Sequence, residues 1–381
     1  MRRVPALFLF LAVSIQAAEV RLGPEIPLVR GIQRTAQADV KIAWASSGLM
    51  GVWRSEDRSE ILGAFDGVAF SIDHQPGHQV GIPSITAGPD RFLVVWSDSE
   101  GEQTRLVARR YTRYAIPLDP FPIDITPASS TRIRIDAPGV TADGSSFVIT
   151  DASGSILRLL RLDSNGAVSE ILTHDARLEV VGSFPPRKTN AEWLIPYLCF
   201  QGIANPTGVM QPVFSVVILR IPFSGSGASI VATFIFDPLA VRTATTWAGN
   251  QFAFAIPDFF YRGMIVGLER PSLTRQLITQ ANNAVTAGIA WNGSQYVVAW
   301  PTRNDGPVFA MRVDPNGNVL DPVPFEIAPR GHWTNPSIAA TDRGVIIAYS
   351  RIDPEAGDVP RAFTRTLERL SVVPRRPAVR H

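Results

Sequence analysis

Short phrases recur along the chain at multiples of about 50 residues. The patterns Pro-Ser-Ile, Leu-Asp-Pro and Asp-x-Asn-Gly each occur twice, at spacings of 253, 202 and 151 residues. These spacings correspond to five, four and three units of one period. A unit of this length holds four short strands with their turns, so the period predicts an array of small repeated sheets. The copies are Pro83–Ile85 and Pro336–Ile338, Leu118–Pro120 and Leu320–Pro322, and Asp163–Gly166 and Asp314–Gly317.

Each unit contains one strongly apolar strand, which we name strand b, the second of four strands a to d. The nearly continuous apolar character of strand b is typical of strands that are covered on both faces, here by neighbouring sheets. The 29 glycines and 31 prolines supply the turns that many short strands need. The sequence therefore predicts an all-β chain of seven units. The predicted strands b are Leu49–Trp53, Phe92–Trp96, Ser146–Thr150, Trp193–Phe200, Gln251–Ile256, Tyr296–Trp300 and Val345–Tyr349.

The two ends of the repeat region complement each other. The last unit has no strand d of its own, while the segment 22–29 precedes the first strand a, Val40–Trp44, and resembles the strand d at 320–327. We infer that the N-terminal strand joins the last sheet and closes the units into a ring. Closure removes the exposed strand edges that an open array would offer to aggregation. The predicted fold is a seven-bladed β-propeller with four-stranded blades.

The unit reads Pro-x-Ile-Ala, a short turn, an apolar run ending in Trp-x-Asp, and later Asp-x-Asn-Gly-x-x-Leu-Asp-Pro. This pattern resembles the repeats of secreted bacterial β-propeller proteins, which are broadly similar to the propeller repeats of integrin α-chains. The resemblance implies the propeller fold and a location outside the cytoplasm. It implies no catalytic residue, because the chain lacks a Trp-Asp dipeptide, the Gly-Gly of kelch repeats and the Ser-x-Asp-x-Gly-x-Thr-Trp box of sialidases.

The first 18 residues have the form of a secretory signal peptide. Arg2 and Arg3 precede an apolar run at 4–15, and the small residues Ala17 and Ala18 follow it. The run is shorter than the ~20 apolar residues that a transmembrane helix needs. We therefore expect a secreted or periplasmic protein with no membrane span in the mature chain. The predicted organisation is a signal peptide at 1–18, one propeller domain at 19–368 and a basic flexible tail at 369–381.

The composition limits the kinds of partner that the protein is expected to bind. Removal of Arg2 and Arg3 would cancel the formal net charge of +2, so no attraction to nucleic acid is expected.

The single cysteine, Cys199, lies in an apolar run and is predicted to be a buried, inert thiol. We expect a monomer.

The two Asp-x-Asn-Gly segments have two interpretations. Integrin-type propellers hold calcium in Asp-rich loops, and Asp163 and Asp314 each offer a carboxylate beside an amide. The alternative is a hairpin turn in which the aspartate accepts hydrogen bonds from the backbone. The turn is favoured, so neither a cofactor nor a metal is predicted. His74 and His78 are spaced as His-x-x-x-His, but in a strand-and-turn segment this spacing does not predict zinc.

Three aspartates, Asp98, Asp151 and Asp258, follow equivalent strands b. We expect the loops between strands b and c, and those between units, to surround the mouth of the axial channel. Convergence of the three carboxylates there would raise a pKa enough for acid chemistry, as in a polysaccharide hydrolase or lyase. The alternative is that each aspartate pairs with an arginine on an adjacent strand.

Unit four has an unusually long connection between strands b and c, and aromatic residues occupy the corresponding place in unit five. Longer loops on one side of a rigid ring are typical of recognition surfaces. We therefore predict a binding module for a partner protein or a glycan. The hydrolase or lyase, and a passive cell-surface module, remain alternatives. The candidate binding residues are Gln201, Asn205, Phe259, Phe260, Tyr261, Arg262, His332 and Trp333.

Overall fold

A computed structural model describes residues 20–31, 35–130, 137–204, 210–224, 227–236, 243–257, 264–269, 274–303, 305–332 and 335–369. These residues form seven antiparallel sheets arranged as the blades of a propeller. They include no α-helix, and the helical turns within them are 3-10 turns at Thr279–Ala281 and Pro354–Ala356. No helix in this part of the chain is long and apolar enough to cross a membrane. The predicted all-β propeller of seven four-stranded blades is confirmed.

Strand a of every blade lies nearest the axis, and strand d lies outermost. Blade 1 consists of β3 (Lys41–Ala45), β4 (Gly48–Arg54), β5 (Glu60–Phe65) and β6 (Val68–His74). Blade 2 consists of β7 (His78–Val80), β8 (Ser84–Ala87), β9 (Arg91–Glu100), β10 (Gln103–Thr112) and β11 (Ile123–Asp124). Blade 3 consists of β12 (Val140–Asp143), β13 (Ser146–Ser153), β14 (Ile156–Leu162) and β15 (Val168–Asp175).

The remaining blades repeat this order. Blade 4 consists of β16 (Glu179–Ser183), β17 (Arg187–Lys188), β18 (Glu192–Ala204), β19 (Met210–Pro222) and β20 (Ser229–Phe236). Blade 5 consists of β21 (Ala244–Ala248), β22 (Gln251–Pro257), β23 (Met264–Glu269) and β24 (Thr274–Ile278). Blade 6 consists of β25 (Gly288–Trp291), β26 (Tyr296–Pro301), β27 (Val308–Val313) and β28 (Phe325–Ala328). Blade 7 consists of β29 (Ser337–Thr341), β30 (Gly344–Asp353) and β31 (Val359–Arg369), with β1 (Val20–Leu22) and β2 (Ile26–Pro27) on its outer side.

The inner strand is interrupted in blades 2 and 4. In blade 2 both β7 and β8 pair with β9, and in blade 4 both β16 and β17 pair with β18. Pro83 lies in the first gap, and Pro185 lies in the second. Because proline has no backbone N–H to donate, it breaks the hydrogen-bond ladder at these positions.

The core consists of apolar layers between neighbouring blades. Val52 of blade 1 belongs to the same buried cluster as Val94 and Trp96 of blade 2, and Ile42 of blade 1 clusters with Ile346 of blade 7. Each strand b is therefore covered on both faces, as its sequence predicts. Three tryptophans at strand b, Trp53, Trp96 and Trp300, are at most 2% exposed. Truncating a core tryptophan to alanine typically costs about 3–5 kcal/mol.

The N-terminal segment is bound to the last blade. β1 and β2 pair antiparallel with β31, with Val20 opposite Arg369 and Ile26 opposite Thr364. The hydroxyl of Tyr349 donates to the Glu25 carboxylate at 2.5 Å. These contacts join residues from both ends of the described chain in a single sheet.

Cys199 lies in β18 and is fully buried. Its thiol is 3.4 Å from the carbonyl oxygen of Ser215, and burial raises its pKa above the ordinary value. A raised pKa leaves little of the nucleophilic thiolate at neutral pH. The predicted buried thiol is confirmed.

Candidate functional site

The strands a surround a cavity of about 510 Å³ on the axis of the ring, which we name the axial cavity. Residues from all seven blades line it, close to the points where the strands a begin. The loops between strands b and c lie at this end of the ring, which we call the upper end. The lining includes Lys41, Ser84, Val140, Ser183, Thr245, Gly288 and Ser337, one from each blade.

The lining of the axial cavity is polar but carries little charge. Hydroxyl and amide groups alternate with apolar side chains such as Ile85 and Phe184. Among the described residues that line the cavity, Lys41 is the one ionised side chain, and no carboxylate is present. The cavity therefore has the donors, acceptors and apolar surface that a polar ligand needs, without the acids that a general acid–base mechanism needs.

Two hydroxyls of this lining hold neighbouring blades together. Ser337 accepts a hydrogen bond from the backbone N–H of Ile42 at 3.1 Å, and Ser183 accepts one from Gly139 at 3.1 Å. Gly139 is required here because a Cβ atom at this position would collide with the carbonyl oxygen of Phe184. Ser84 makes no such bridge to a described neighbouring blade, so its hydroxyl can serve a ligand.

Asp98 lies on β9, directly opposite Arg105 on β10. Its carboxylate is 2% exposed and accepts hydrogen bonds from Arg105 Nε at 3.0 Å and Nη2 at 2.9 Å. The other carboxylate oxygen is 2.9 Å from Nδ1 of His78, whose Nε2 lies 3.8 Å from Glu100. Asp98 does not line the axial cavity.

Asp151 repeats this arrangement in blade 3. It lies on β13 opposite Arg158 on β14, is 1% exposed, and accepts a hydrogen bond from Arg158 Nη1 at 3.3 Å. Like Asp98, it is absent from the lining of the axial cavity. Both aspartates lie within strands rather than in the expected loops, and each pairs with the arginine seven residues later in the chain. The third candidate, Asp258, lies outside the described residues.

Burial raises the pKa of Asp73, which lies on β6 beside this cluster. The hydrogen bond from Gln75 acts in the opposite direction, and the negative charge of Asp98 adds to the increase. The side-chain amide of Gln75 also accepts from Arg105 Nη2 at 3.4 Å. Asp73, Asp98 and Arg105 therefore form one network between blades 1 and 2.

Of the predicted binding residues, His332 is placed by the structure. Its Nδ1 is 3.2 Å from Asp305, and its backbone N–H donates to the carbonyl oxygen of Ser350 at 2.6 Å. It therefore connects blades 6 and 7. Gln201 lies in β18, where only its backbone is described. The others, Asn205, Phe259, Phe260, Tyr261, Arg262 and Trp333, lie outside the described residues.

The Asp-x-Asn-Gly segments form turns. Asp163 Oδ1 accepts hydrogen bonds from the backbone N–H groups of Asn165 and Ala167, at 2.8 and 2.9 Å. Asp314 does the same for Asn316 and Asn318. Of each Asn-Gly pair, only the glycine adopts positive φ. Within the described part of the chain, no three His, Cys, Asp or Glu side chains gather to hold a metal ion.

The sequence did contain a signal for the axial cavity. The Pro-Ser-Ile phrase, which defines the repeat period, places Ser84 and Ser337 in its lining. The proline precedes strand a, so the following serine lies at the start of that strand, beside the axis. Sequence reasoning directed attention to the acidic loops instead.

No protein-family model matches the sequence, and neither does any curated protein. Among solved structures, the fold is similar to that of the phage phi92 endosialidase, with a TM-score of 0.51 and 9% identity over 94% of this chain and 71% of that chain. Virginiamycin B lyase from Staphylococcus aureus gives a TM-score of 0.49 and 16% identity, over 92% of this chain and all of that chain. At such identities, likeness extends to the propeller fold alone.

Proposed function

We propose that the protein is an exported binding module that holds a segment of a glycan in the axial cavity. The observation that carries this proposal is the lining of that cavity, where hydroxyl, amide and apolar groups from seven blades converge without a described carboxylate. Sugars are recognised by such a mixture of hydrogen-bonding and apolar surfaces. The signal-peptide pattern at 1–18 supports export.

A polysaccharide hydrolase or lyase is the second candidate. The phage phi92 endosialidase has a similar fold. The arginine partners of Asp98 and Asp151 weaken this candidate, because both carboxylates are buried in ion pairs and neither lines the axial cavity. Binding of a partner protein instead of a glycan stays a prediction, and it rests on the loops of units four and five.

The proposal is tested by screening the purified protein on an array of neutral and acidic glycans, followed by calorimetric titration of each hit. Ser84→Ala removes one hydroxyl from the cavity and is expected to weaken binding roughly three- to tenfold. Ser169→Ala, on the exposed outer strand of blade 3, is the matched control and should leave affinity unchanged.

Binding that is equal in both variants would exclude the axial cavity as the site, and an empty array would contradict a glycan ligand. Shortened oligosaccharides in a mass spectrum after incubation would favour the hydrolase or lyase. A protein captured by the wild type and released by the Ser84 variant would indicate that the cavity takes a peptide segment.

A further inference from the structure

A second cleft, of about 290 Å³, lies at the opposite end of the ring, between blades 3 and 4. One wall is the end of β12 with the first residue of the turn that follows it, at 141–144, and the other is the segment 187–190, which includes β17. We name it the lower cleft. It shares no lining residue with the axial cavity.

Positive charge predominates at the lower cleft. Asp143 contacts two cations: its Oδ2 lies 3.0 Å from Arg161 Nη2 and 3.0 Å from Lys188 Nζ. Arg187 adds a third cation to the wall and is exposed. The next acid along the chain, Glu192, has its own partner in Arg220 at 3.0 Å. Two cations therefore contact one carboxylate, and Arg187 is a further cation in the lining of the cleft.

Asp143 positions both cations, but its single negative charge balances only one of their two positive charges. A guanidinium has five N–H donors and an ammonium has three. One carboxylate can therefore accept hydrogen bonds from only some of the N–H groups of Arg161 and Lys188. Because both contact the same carboxylate, the two cations are close neighbours and repel each other. An added anion would relieve that repulsion and accept the remaining hydrogen bonds.

Lysine is a rare residue in this chain. Among the 36 basic residues of the chain only Lys41 and Lys188 are lysines, and one lines each of the two cavities. The Lys188 ammonium lies 5.8 Å from the centre of the Trp193 ring, so the side chain rests on a buried aromatic surface. A lysine supported in this way presents a compact point charge to the cleft, as phosphate-binding lysines do.

We propose that the lower cleft binds the oxyanion of a sulfate or phosphate ester on a molecule of about monosaccharide size, with Lys188 and Arg187 as its contacts. The volume is consistent with such a ligand, since it is about ten times the ~30 Å³ that one water molecule occupies in the liquid. This site is independent of the glycan site in the axial cavity.

The test is a calorimetric titration of the purified protein with glucose 6-sulfate and glucose 6-phosphate, each with glucose as the neutral control. We expect saturable binding of at least one ester, with a dissociation constant on the order of 1 mM, that weakens as salt is raised. Glucose should not bind. Sulfate keeps its charge between about pH 5 and 8, whereas a phosphate ester gains charge above about pH 6, so pH separates the two sources.

Three variants locate the site. Lys188→Met replaces the ammonium with an apolar group and is expected to weaken ester binding about tenfold. Arg187→Gln changes an exposed side chain and is expected to weaken it to the same extent. Arg343→Gln removes one positive charge from an exposed turn of blade 7 and should change affinity less than about twofold. Thermal unfolding of each variant checks the fold. The proposal is overturned if neither ester saturates, or if both cleft variants bind as the wild type does.

Discussion

Arg110 and Asp119 form a buried ion pair in blade 2 in which the aspartate also accepts the backbone N–H of the same arginine, at 2.9 Å. Arg312 and Asp321 repeat both contacts in blade 6, 202 residues later. Arg110 also donates to the carbonyl oxygen of Ser164 in blade 3, at 2.6 Å. The pair thus connects strand c, the Leu-Asp-Pro segment and the next blade, which explains in physical terms why that segment recurs.

Asp321→Asn is expected to lower the free energy of unfolding by about 3–5 kcal/mol. The substitution replaces the carboxylate that pairs with Arg312, a residue that is 4% exposed, with a neutral amide. Urea unfolding, monitored by tryptophan fluorescence, measures the loss of unfolding free energy. The exposed pair of Asp90 with Arg91 provides the control, because Asp90→Asn should cost less than about 1 kcal/mol after solvent screening. The double variant Arg312→Met, Asp321→Leu should recover most of the loss, and equal losses for Asp321→Asn and Asp90→Asn would contradict this account.

Gln37→Leu is expected to loosen the N-terminal segment. Gln37 is 1% exposed, and its side-chain oxygen accepts a hydrogen bond from the backbone N–H of Ala362 at 3.1 Å. Leucine leaves this donor unsatisfied in blade 7, at a cost of about 1–3 kcal/mol. Hydrogen exchange should show faster exchange at Ala362 and along β31. Gln103→Leu, at an exposed position of β10, is the control, and unchanged exchange at Ala362 in the Gln37 variant would disprove the role.

Asp98→Asn separates a structural role from a catalytic one. The buried carboxylate accepts two hydrogen bonds from Arg105, so its neutralisation should lower the midpoint of thermal unfolding by several degrees and leave glycan affinity within about twofold. Differential scanning calorimetry and the calorimetric titration read out the two properties separately. Unchanged thermal stability combined with loss of a glycan-cleaving activity would instead assign Asp98 to catalysis.

The turn at Asp163 should contribute stability that depends on pH. Backbone hydrogen bonds from Ala167 and Asn165 lower the pKa of Asp163. The folded-state pKa therefore lies below the unfolded value of about 3.9, so the contribution is complete above that value and is lost as pH falls through the folded-state pKa. The stability difference between the wild type and Asp163→Asn should shrink between about pH 6 and pH 3 in urea unfolding experiments.

Asp314→Asn should behave in the same way at the matching turn of blade 6. Burial acts to raise the pKa of Asp314, but the hydrogen bonds from Asn318 and Asn316 outweigh it, and the net pKa is lowered. A stability difference that does not vary with pH in either variant would show that these carboxylates do not stabilise their turns.

The fold could be predicted because its determinants are local and repeated. An apolar strand b occurs in all seven units, and the turn phrases of several units recur at multiples of one period, so separate segments of the chain indicate one architecture. The ends of the strands were harder to place. β9 continues to Glu100 through the polar residues 97–100, because Asp98 pairs with Arg105 and His78, and the Ser99 hydroxyl is hydrogen-bonded to that of Thr104. Local polarity alone had indicated a loop there.

The site was less predictable because its chemistry depends on pairing between strands. The sequence left open whether Asp98 and Asp151 converge or pair with arginines on adjacent strands, and only the register identifies Arg105 and Arg158 as the residues opposite them. The axial cavity likewise results from seven distant segments that meet at one axis. The Pro-Ser-Ile phrase supplies two of its hydroxyls, Ser84 and Ser337, but their convergence on one cavity is visible only once the ring is formed.

The pairing of β1 with β31 also determines the order in which the molecule can assemble. Blades 1 to 6 are each built from contiguous sequence, so each can form as soon as its own strands are available. Blade 7 joins Val20 to Arg369, and the entropy of closing so large a loop opposes this contact until the other blades have brought the two segments together. The six other sheets and the strands β29 to β31 are therefore of local origin, whereas the outer edge of blade 7 depends on segments that the rest of the fold must first bring together.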